Sequence, residues 1–509
     1  MSSSDYNLYI GGKWVRSKSG KTFESFNPAT EQSIGIFQEG NESDVREAID
    51  AAEETFPKWS AMPAPKRGAL LLRIAELLKA NKERLSRLVT VEMGKVLKEG
   101  AGDVQEAIDV FEYMAGEGRR LFGHTTPSEL HDKFAMTVKT PVGVCGLITP
   151  WNFPVAIPAW KLAPALICGN TIVIKPSSDT PLCVIELVRI MEKAGLPPGV
   201  VNVVTGPAKS VGQEIVKNKK IDALSFTGSR ETGEWIMANV GIKKVGMELG
   251  GKNPIIVMDD ADLALALDGV LWGAFGTTGQ RCTACSRLLL HKKIKEKFMR
   301  SLIERAKKLR IGNGLDKDTD VGPLVNQTAQ EKSMRYVEIG KNDGAKLCCG
   351  GNKPGNGKGF FFLPTIFNNV LNDMRIAQEE IFGPILSVIE FESFEDAIEI
   401  ANNTEYGLSS SIYTNNVRNA FTAMKEIRAG ITYINSPTIG AEVHLPFGGI
   451  KKTGFTREAG IEGIEEFSHT KTLYIDYSGK LQKAQIDVDQ VVDDSTTSVL
   501  EMKFPVHRE

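Results

Sequence analysis

The chain reads as an α/β protein with two sheet-and-helix domains, and three observations predict this. From residue 171 short apolar strands alternate with amphipathic helices at the spacing of βαβ units, which predicts a parallel sheet covered by helices on both faces. A second alternating block follows residue 253. The chain has 509 residues with an ordinary apolar share, so two or three domains can each bury a normal core without a disulfide or metal staple.

The elements follow in order. Leu8-Tyr9-Ile10 and Trp14-Val15 are short strands parted by Gly11-Gly12. A helix follows with Ser43 as its expected N-cap, and Val45, Ala48, Ile49, Ala52 and Phe56 fall on one face. A second helix carries Leu70, Ile74, Leu77 and Leu78, and a third carries Val104, Ile108, Phe111 and Met114. The uncharged run 140–160 is long enough to tempt a membrane reading. Pro141, Pro150, Pro154 and Pro158 interrupt it, so a buried strand, loop and helix entry is expected instead. Strands are then predicted at 171–175, 199–204 and 222–226, with helices at 181–194, 208–217 and 230–240. In the second block, strands are predicted at 286–291, 387–391, 409–413 and 431–435, with helices at 292–309 and 394–402.

Lys and Arg total 61 against 63 Asp and Glu, a balance that argues against a nucleic-acid partner. Residues 1–9 are polar and carry no apolar core segment, so no secretory signal is read. The seven cysteines (Cys145, Cys168, Cys183, Cys282, Cys285, Cys348 and Cys349) are odd in number and irregular in spacing, which suits free thiols in a reducing compartment. A cytoplasmic protein without membrane contact is expected. Cys282 and Cys285 form a lone C-x-x-C, weak for zinc without a second pair, so no metal site is read.

Three motifs carry chemistry. Gly279-Gln280-Arg281-Cys282-Thr283-Ala284 offers a nucleophile beside a cation and at an expected helix N-terminus, both of which would lower a thiol pKa. A buried structural cysteine is the bland alternative. Met247-Glu248-Leu249-Gly250-Gly251-Lys252 sets a carboxylate among glycines and aliphatic residues, where desolvation raises its pKa toward that of a working base. Thr149-Pro150-Trp151-Asn152-Phe153 offers a neutral amide donor in a proline-framed loop, a fit for an oxyanion; an ordinary turn asparagine is the competing reading. Gly206 to Gly212 stands after a strand and before a helix, where a phosphate would bind, although G-x-G-x-x-G is absent.

Together, in order and spacing, these motifs resemble the aldehyde dehydrogenase superfamily over nearly the whole chain. The resemblance implies a Rossmann-like cofactor domain at 1–123 and 141–253, a second α/β catalytic domain at 254–467, a β-strand oligomerisation arm at 124–140 and 468–489, and a C-terminal tail at 490–509. It implies Cys282 as nucleophile, Glu248 as base, Asn152 as oxyanion donor and Lys161 as a proton-relay lysine. The reaction implied is oxidation of an aldehyde to an acid through a thiohemiacetal and a thioester. Ile148, Thr149 and Trp151 would then meet the cofactor, as would Lys175, Ser177, Ser178, Gly206 and Gly212. The same holds for Phe226, Thr227, Gly228 and Ser229, for Leu249 and Gly250, and for Glu380 and Phe382. The arm strands imply a homo-oligomer, dimer or tetramer.

Two departures from the family pattern matter. Ser178 stands where NAD-preferring members commonly carry a glutamate; a serine tolerates a 2′-phosphate, so NADP is the expected cofactor, with NAD as the second. His469 stands where many members carry a glutamate assigned to proton relay. For the substrate, Arg281 is expected to hold an anionic tail, with Arg119 and Arg120 at the same entrance and Phe153 and Phe447 lining the path. Solvated or inter-subunit arginines remain an equal reading. A semialdehyde, glyceraldehyde 3-phosphate and a broad aldehyde range stay open. An acylating enzyme using coenzyme A is disfavoured by Glu248, and a catalytically retired binding protein by the intact Cys282, Glu248 and Asn152.

Overall fold

A computed structural model of the chain describes residues 5–355 and 357–486; the tail read at 490–509 lies outside the described residues. The described residues form two compact units, one within 5–120 and 140–469 and a smaller one of 121–139 and 470–486.

The larger unit contains two seven-stranded sheets. In the first, the order is Lys244–Glu248, Ala223–Thr227, Val144–Ile148, Thr171–Lys175, Val201–Val203, Leu8–Ile10 and Lys13–Val15. The first five run parallel, and the N-terminal hairpin adds antiparallel at the edge. From Val144–Ile148 the chain builds outward in one direction and then returns to build in the other, so this strand marks a topological switch point. Crevices at the carboxyl ends of such strands receive ligands. Val173, Ile215, Leu224 and Phe226 pack with Ile49 and Ala52 of the helix Glu42–Ala61 in one core. Each such full burial is worth about 1.5–3 kcal/mol.

The second sheet runs Lys346–Cys349, Thr365–Asn368, Ile385–Phe391, Cys285–His291, Asn253–Val257, Ser409–Tyr413 and Ile431–Ile434. It is parallel apart from the edge strand Lys346–Cys349. Cores lie on both of its faces, which is why its strands read as continuous apolar runs rather than as alternation.

Most predicted elements stand where expected, and the run 140–160 resolves into the strand Val144–Ile148, a loop and the helix Ala156–Cys168. The differences have local causes. Asn41, not Ser43, caps the first helix: its side chain accepts from the amides of Ser43 and Asp44, while Asp44 returns a bond to the Asn41 amide, closing a capping box. The helix Lys82–Met93 was not expected as a separate element; Asn81 splits it from Ala64–Ala80. The predicted helix 208–217 opens with a π-helical turn at Ala208–Gly212.

In the smaller unit, strands Lys133–Pro141 and Ser468–Asp476 join Thr125–Thr126 in a three-stranded sheet. Lys139 donates to Thr470 at 3.1 Å and Lys133 faces Asp476 at 3.8 Å.

Candidate active site

A cavity of about 1130 Å³ opens in the larger unit. Phe153, Trp160, Glu248, Trp272, Arg281, Cys282, Phe447 and Glu458 are among its lining residues. Glu248 ends the first sheet's strand Lys244–Glu248, and Cys282 lies three residues before the second sheet's strand Cys285–His291. The two chemistry-bearing motifs are therefore brought together by two different sheets.

The loop carrying Cys282 is fixed from several sides. Thr277, Thr278 and Gly279 are consecutive left-handed residues (φ 51°, 59° and 69°). For the threonines this conformation costs about 1–3 kcal/mol each and survives only where surroundings enforce it. They do: the Thr277 amide donates to Glu99 at 2.7 Å and the Thr278 hydroxyl to Gly322 O at 2.9 Å. Buried Gln280 donates to the carbonyls of Thr277 and Pro323 and accepts from the Val325 amide. Asn253 donates to the carbonyls of Cys282 and Ala284 at 2.7 and 2.9 Å.

The expected helix N-terminus at Cys282 is absent: the helix Leu263–Phe275 has already ended, and Cys282 sits in a turn before a strand. Arg281 does not lower its pKa either. Its guanidinium is engaged with Thr277 at 2.8 Å and Glu99 at 3.5 Å, and it stacks over the rings of Phe153 and Trp272. Burial, then the charges of Glu248 and Glu380, push the Cys282 thiol up to about 12.

Glu248 is buried with both carboxylate oxygens unpaired. Burial first, then neighbouring Glu458, hold its pKa well above the usual carboxylate range. The segment 447–456 shapes its niche. Leu249 N donates to Thr453 O at 2.7 Å, and Met247 N to Thr456 Oγ1 at 2.9 Å. A Cβ on Gly448 (φ 151°) would come within 2.6 Å of a Glu248 oxygen, so only glycine fits there.

The loop carrying Asn152 is held by a buried ion pair. Lys95 and Asp103 meet at 3.0 Å with no exposure, Lys95 lies 3.7 Å over the Phe153 ring, and Asp103 accepts from the Ala156 amide at 2.7 Å. Asn152 itself is 3% exposed, and its carbonyl oxygen lacks a partner. Lys161 is fully buried; it donates to Ser225 at 2.7 Å and pairs with Glu458.

Other predicted positions divide clearly. Phe447 packs edge-on against Trp160 at 4.9 Å in the cavity wall. Arg119 and Arg120 do not line the cavity, and Arg120 is bound to Glu117. His469 is exposed and outside it, whereas Glu458, eleven residues earlier, faces both the cavity and Lys161. Glu458, Glu99, Glu106 and Gln280 were missed. Their spacing to the motifs carries no periodic signal, although Gln280 lies inside a motif already singled out.

The family model of the aldehyde dehydrogenase family matches residues 14–473. This chain belongs to the aldehyde dehydrogenase family. Among curated relatives, the alpha-ketoglutarate semialdehyde dehydrogenase of Haloferax volcanii is 43% identical, over 92% of this chain and 98% of its own. The 2,5-dioxopentanoate dehydrogenase of Saccharolobus solfataricus is also 43% identical, over 91% and 98%. The betaine aldehyde dehydrogenase of Bacillus subtilis is 42% identical, over 92% and 96%. Among solved structures, the betaine aldehyde dehydrogenase of Staphylococcus aureus in complex with NAD+ superposes with a TM-score of 0.92 at 38% identity, covering 94% of this chain and 96% of that one.

As an aldehyde dehydrogenase, the chain is an oxidoreductase acting on the aldehyde group, and its first sheet fits a dinucleotide. The hydroxyls of Thr149 and Thr227, next to the carboxyl ends of adjacent strands, are buried without partners, as expected where a polar ligand belongs. Ile148 and Phe226 end that strand pairing. Lys175 is buried with its ammonium on Pro176 O, and burial lowers its pKa to about 8. Ser178 donates to Gly206 O at 3.3 Å, Ser177 shares the same turn, and Gly212 closes the π-turn beyond. Ser229 caps the helix Arg230–Asn239 just after Gly228. Glu380 accepts from the Gly251 amide at 2.8 Å, and a Cβ on Gly250 would strike its carboxylate at 2.3 Å. Phe382 meets the Trp151 ring edge-on at 5.4 Å, and Leu249 lines the cavity. Among the described residues no helix is long and apolar enough to cross a membrane, and no cluster of His, Cys, Asp and Glu could hold a metal.

Proposed function

We propose that this aldehyde dehydrogenase oxidises an aldehyde with an anionic tail, of the semialdehyde type, to its carboxylic acid by covalent catalysis. The observation that carries this reading is one cavity lined at once by Cys282, Glu248 and Arg281. The Cys282 S–H bond breaks, its proton passing to solvent water, as the sulfur attacks the aldehyde carbon, and the electron pair of the C=O bond moves to oxygen, where Asn152 and the Cys282 amide donate to it. A nicotinamide coenzyme, when bound, supplies the hydride acceptor that converts such an adduct to a thioester. Glu248 then takes a proton from water; the new C–O bond forms, the C–S bond breaks, and the acid leaves. Lys161 and Glu458 carry protons away from Glu248.

Arg281 orients the anionic tail, with Phe153 and Phe447 walling the path. The names of the Haloferax and Saccharolobus relatives support a semialdehyde. A cationic aldehyde is the second reading, favoured by acidic Glu99 in the same wall and by the betaine aldehyde relatives. NADP is the preferred coenzyme, with NAD second, because Ser178 offers no carboxylate against a 2′-phosphate.

The division proposed is a cofactor domain at 1–123 with 141–253, a catalytic domain at 254–467 and an oligomerisation arm at 124–140 with 468–489; Glu248 and Asn152 then reach Cys282 from the first domain. Exposed Phe134, Tyr474 and Tyr477 support a homo-oligomer, a dimer or tetramer, which sedimentation would measure. All seven cysteines are free, in keeping with a cytoplasmic enzyme.

The test is the initial rate of reduced-coenzyme formation with succinic semialdehyde, betaine aldehyde and butanal. The semialdehyde is expected to give the highest kcat/KM. A higher value for betaine aldehyde would replace this reading with the second.

A further inference from the structure

Oxidation of an aldehyde to a carboxylate sheds protons: the attacking water gives up one and the acid product another. Cys282 and Glu248 are both buried, and burial raises the pKa of each. An acceptor beyond the cavity would carry the released protons away from the reacting atoms.

Glu466 has the placement for it. It ends the short helix Glu462–Glu466, is 8% exposed, and does not line the cavity. Its carboxylate fills a notch left by Gly246: a Cβ there would lie 1.9 Å from a Glu466 oxygen. Gly246 belongs to the strand that ends in Glu248. The neighbouring strand carries Ser225, paired in register with Gly246, and the Ser225 hydroxyl accepts from Lys161 at 2.7 Å. Lys161 in turn pairs with Glu458, which faces the cavity. Both Glu466 oxygens are buried without a hydrogen-bond partner, although Ser225 lies close enough to favour the ionised form.

We propose that Glu466 is the terminal proton acceptor of a relay running Glu248, Glu458, Lys161, Ser225, Glu466. The inference rests on the reading of Glu248 as hydrolytic base. The Lys161 ammonium passes a proton to Ser225, whose own hydroxyl proton moves to Glu466. Lys161 is refilled from Glu458, and Glu458 from Glu248. Each transfer breaks one N–H or O–H bond and makes one, and no co-reactant is needed. The groups around Glu466 suit a carboxylate that both takes and releases protons. Burial and Glu458 push its pKa up, Lys161, Ser225 and Lys244 pull it down, and it settles at about 7. Glu248 and Cys145 also sense its charge. Lys244, half-buried and bound to the carbonyls of Glu465 and Ser468, marks the way out to solvent. Glu466 touches neither substrate nor coenzyme, so it is a positioning residue for protons.

The experiment compares Glu466→Gln, Glu466→Asp and Ser225→Ala with the wild type, by rapid mixing and by steady-state pH profile. Glu466→Gln and Ser225→Ala are expected to keep the first-turnover burst of reduced coenzyme. They should lose about tenfold in kcat and lose the wild-type kcat inflection near neutral pH, with Glu466→Asp recovering part of it. Unchanged kcat and pH profile in both Glu466→Gln and Ser225→Ala would overturn the relay. If Glu466→Gln does not fold, Ser225→Ala decides alone. Glu248→Gln separates the two levels: normal turnover there removes the base reading and the relay with it, whereas a burst without turnover keeps the base and leaves the relay to the other variants.

Discussion

Arg281 and Glu99 are paired in the cavity wall, nitrogen to oxygen 3.5 Å, and the same carboxylate accepts from the Thr277 amide. The cation proposed to meet the substrate's anionic tail is thus partly neutralised by the residue that holds its loop. Arg281→Met should raise KM for succinic semialdehyde ten- to a hundredfold, from a charged hydrogen bond worth about 1.5–3 kcal/mol, with butanal barely affected. Glu99→Gln should lower it by freeing the guanidinium. Equal changes for both aldehydes in Arg281→Met would mean that Arg281 packs rather than recognises.

Cys282→Ala should abolish oxidation of every aldehyde, measured as reduced coenzyme over hours. Cys285→Ala should retain most activity, because that thiol lies in the second sheet's core rather than on the cavity. Activity surviving in Cys282→Ala would end the covalent mechanism.

Glu106 faces the cavity beside Asp103, and burial, then Asp103, raise its pKa to about 8. Below that pH the folded protein holds a proton that an unfolded chain would already have released above about 4.3. Its contribution to stability is therefore full below the unfolded pKa and is lost as pH rises toward 8. For substrate the sign is the same: above pH 8 an ionised Glu106 repels an anionic tail, so KM for succinic semialdehyde should climb. Glu106→Gln should flatten that climb; a climb of the same size in the variant would assign it elsewhere.

The Lys95–Asp103 pair has no exposure. Removing one partner strands a buried charge, at a cost of about 3–5 kcal/mol. Lys95→Met should lower the denaturation midpoint clearly, and Lys95→Met with Asp103→Asn should lower it less than the single change. A midpoint within error of wild type for Lys95→Met would show that the pair adds nothing to stability.

Ser178→Glu should move the ratio of kcat/KM for NADP over NAD toward NAD, because a carboxylate repels the 2′-phosphate. An unmoved ratio would place the coenzyme's ribose away from residue 178.

The reach of the sequence differs by element. The helix Pro181–Ala194 and the strand Thr171–Lys175 were legible to the residue, because proline opens the helix, Gly195 closes it, and the strand is a clean apolar run. Cys282, Glu248 and Asn152 were legible as motifs. The microenvironment of Cys282 was not: a glycine-rich approach resembles a helix start, but three left-handed residues turn the chain into a strand. Glu458 and Glu466 were invisible for another reason. Glu458 lies in a loop bridged to Phe447 and Glu466 in a short helix; acids in such segments look solvated, and only their packing in the fold buries them.

The cavity wall has a divided origin. Residues 96–106 and Trp272 contribute no reacting group, while Cys282 and Glu248 come from strand ends in two sheets. Apart from Arg281, which adjoins Cys282, much of the wall is therefore encoded away from the reacting groups. A lineage can retune which aldehyde it accepts through the start of one helix, and laboratory evolution aimed at new substrates should begin at Lys98, Ala101 and Gly102, which line the cavity, and spare Glu99 and Asp103, which anchor the loops of Cys282 and Asn152.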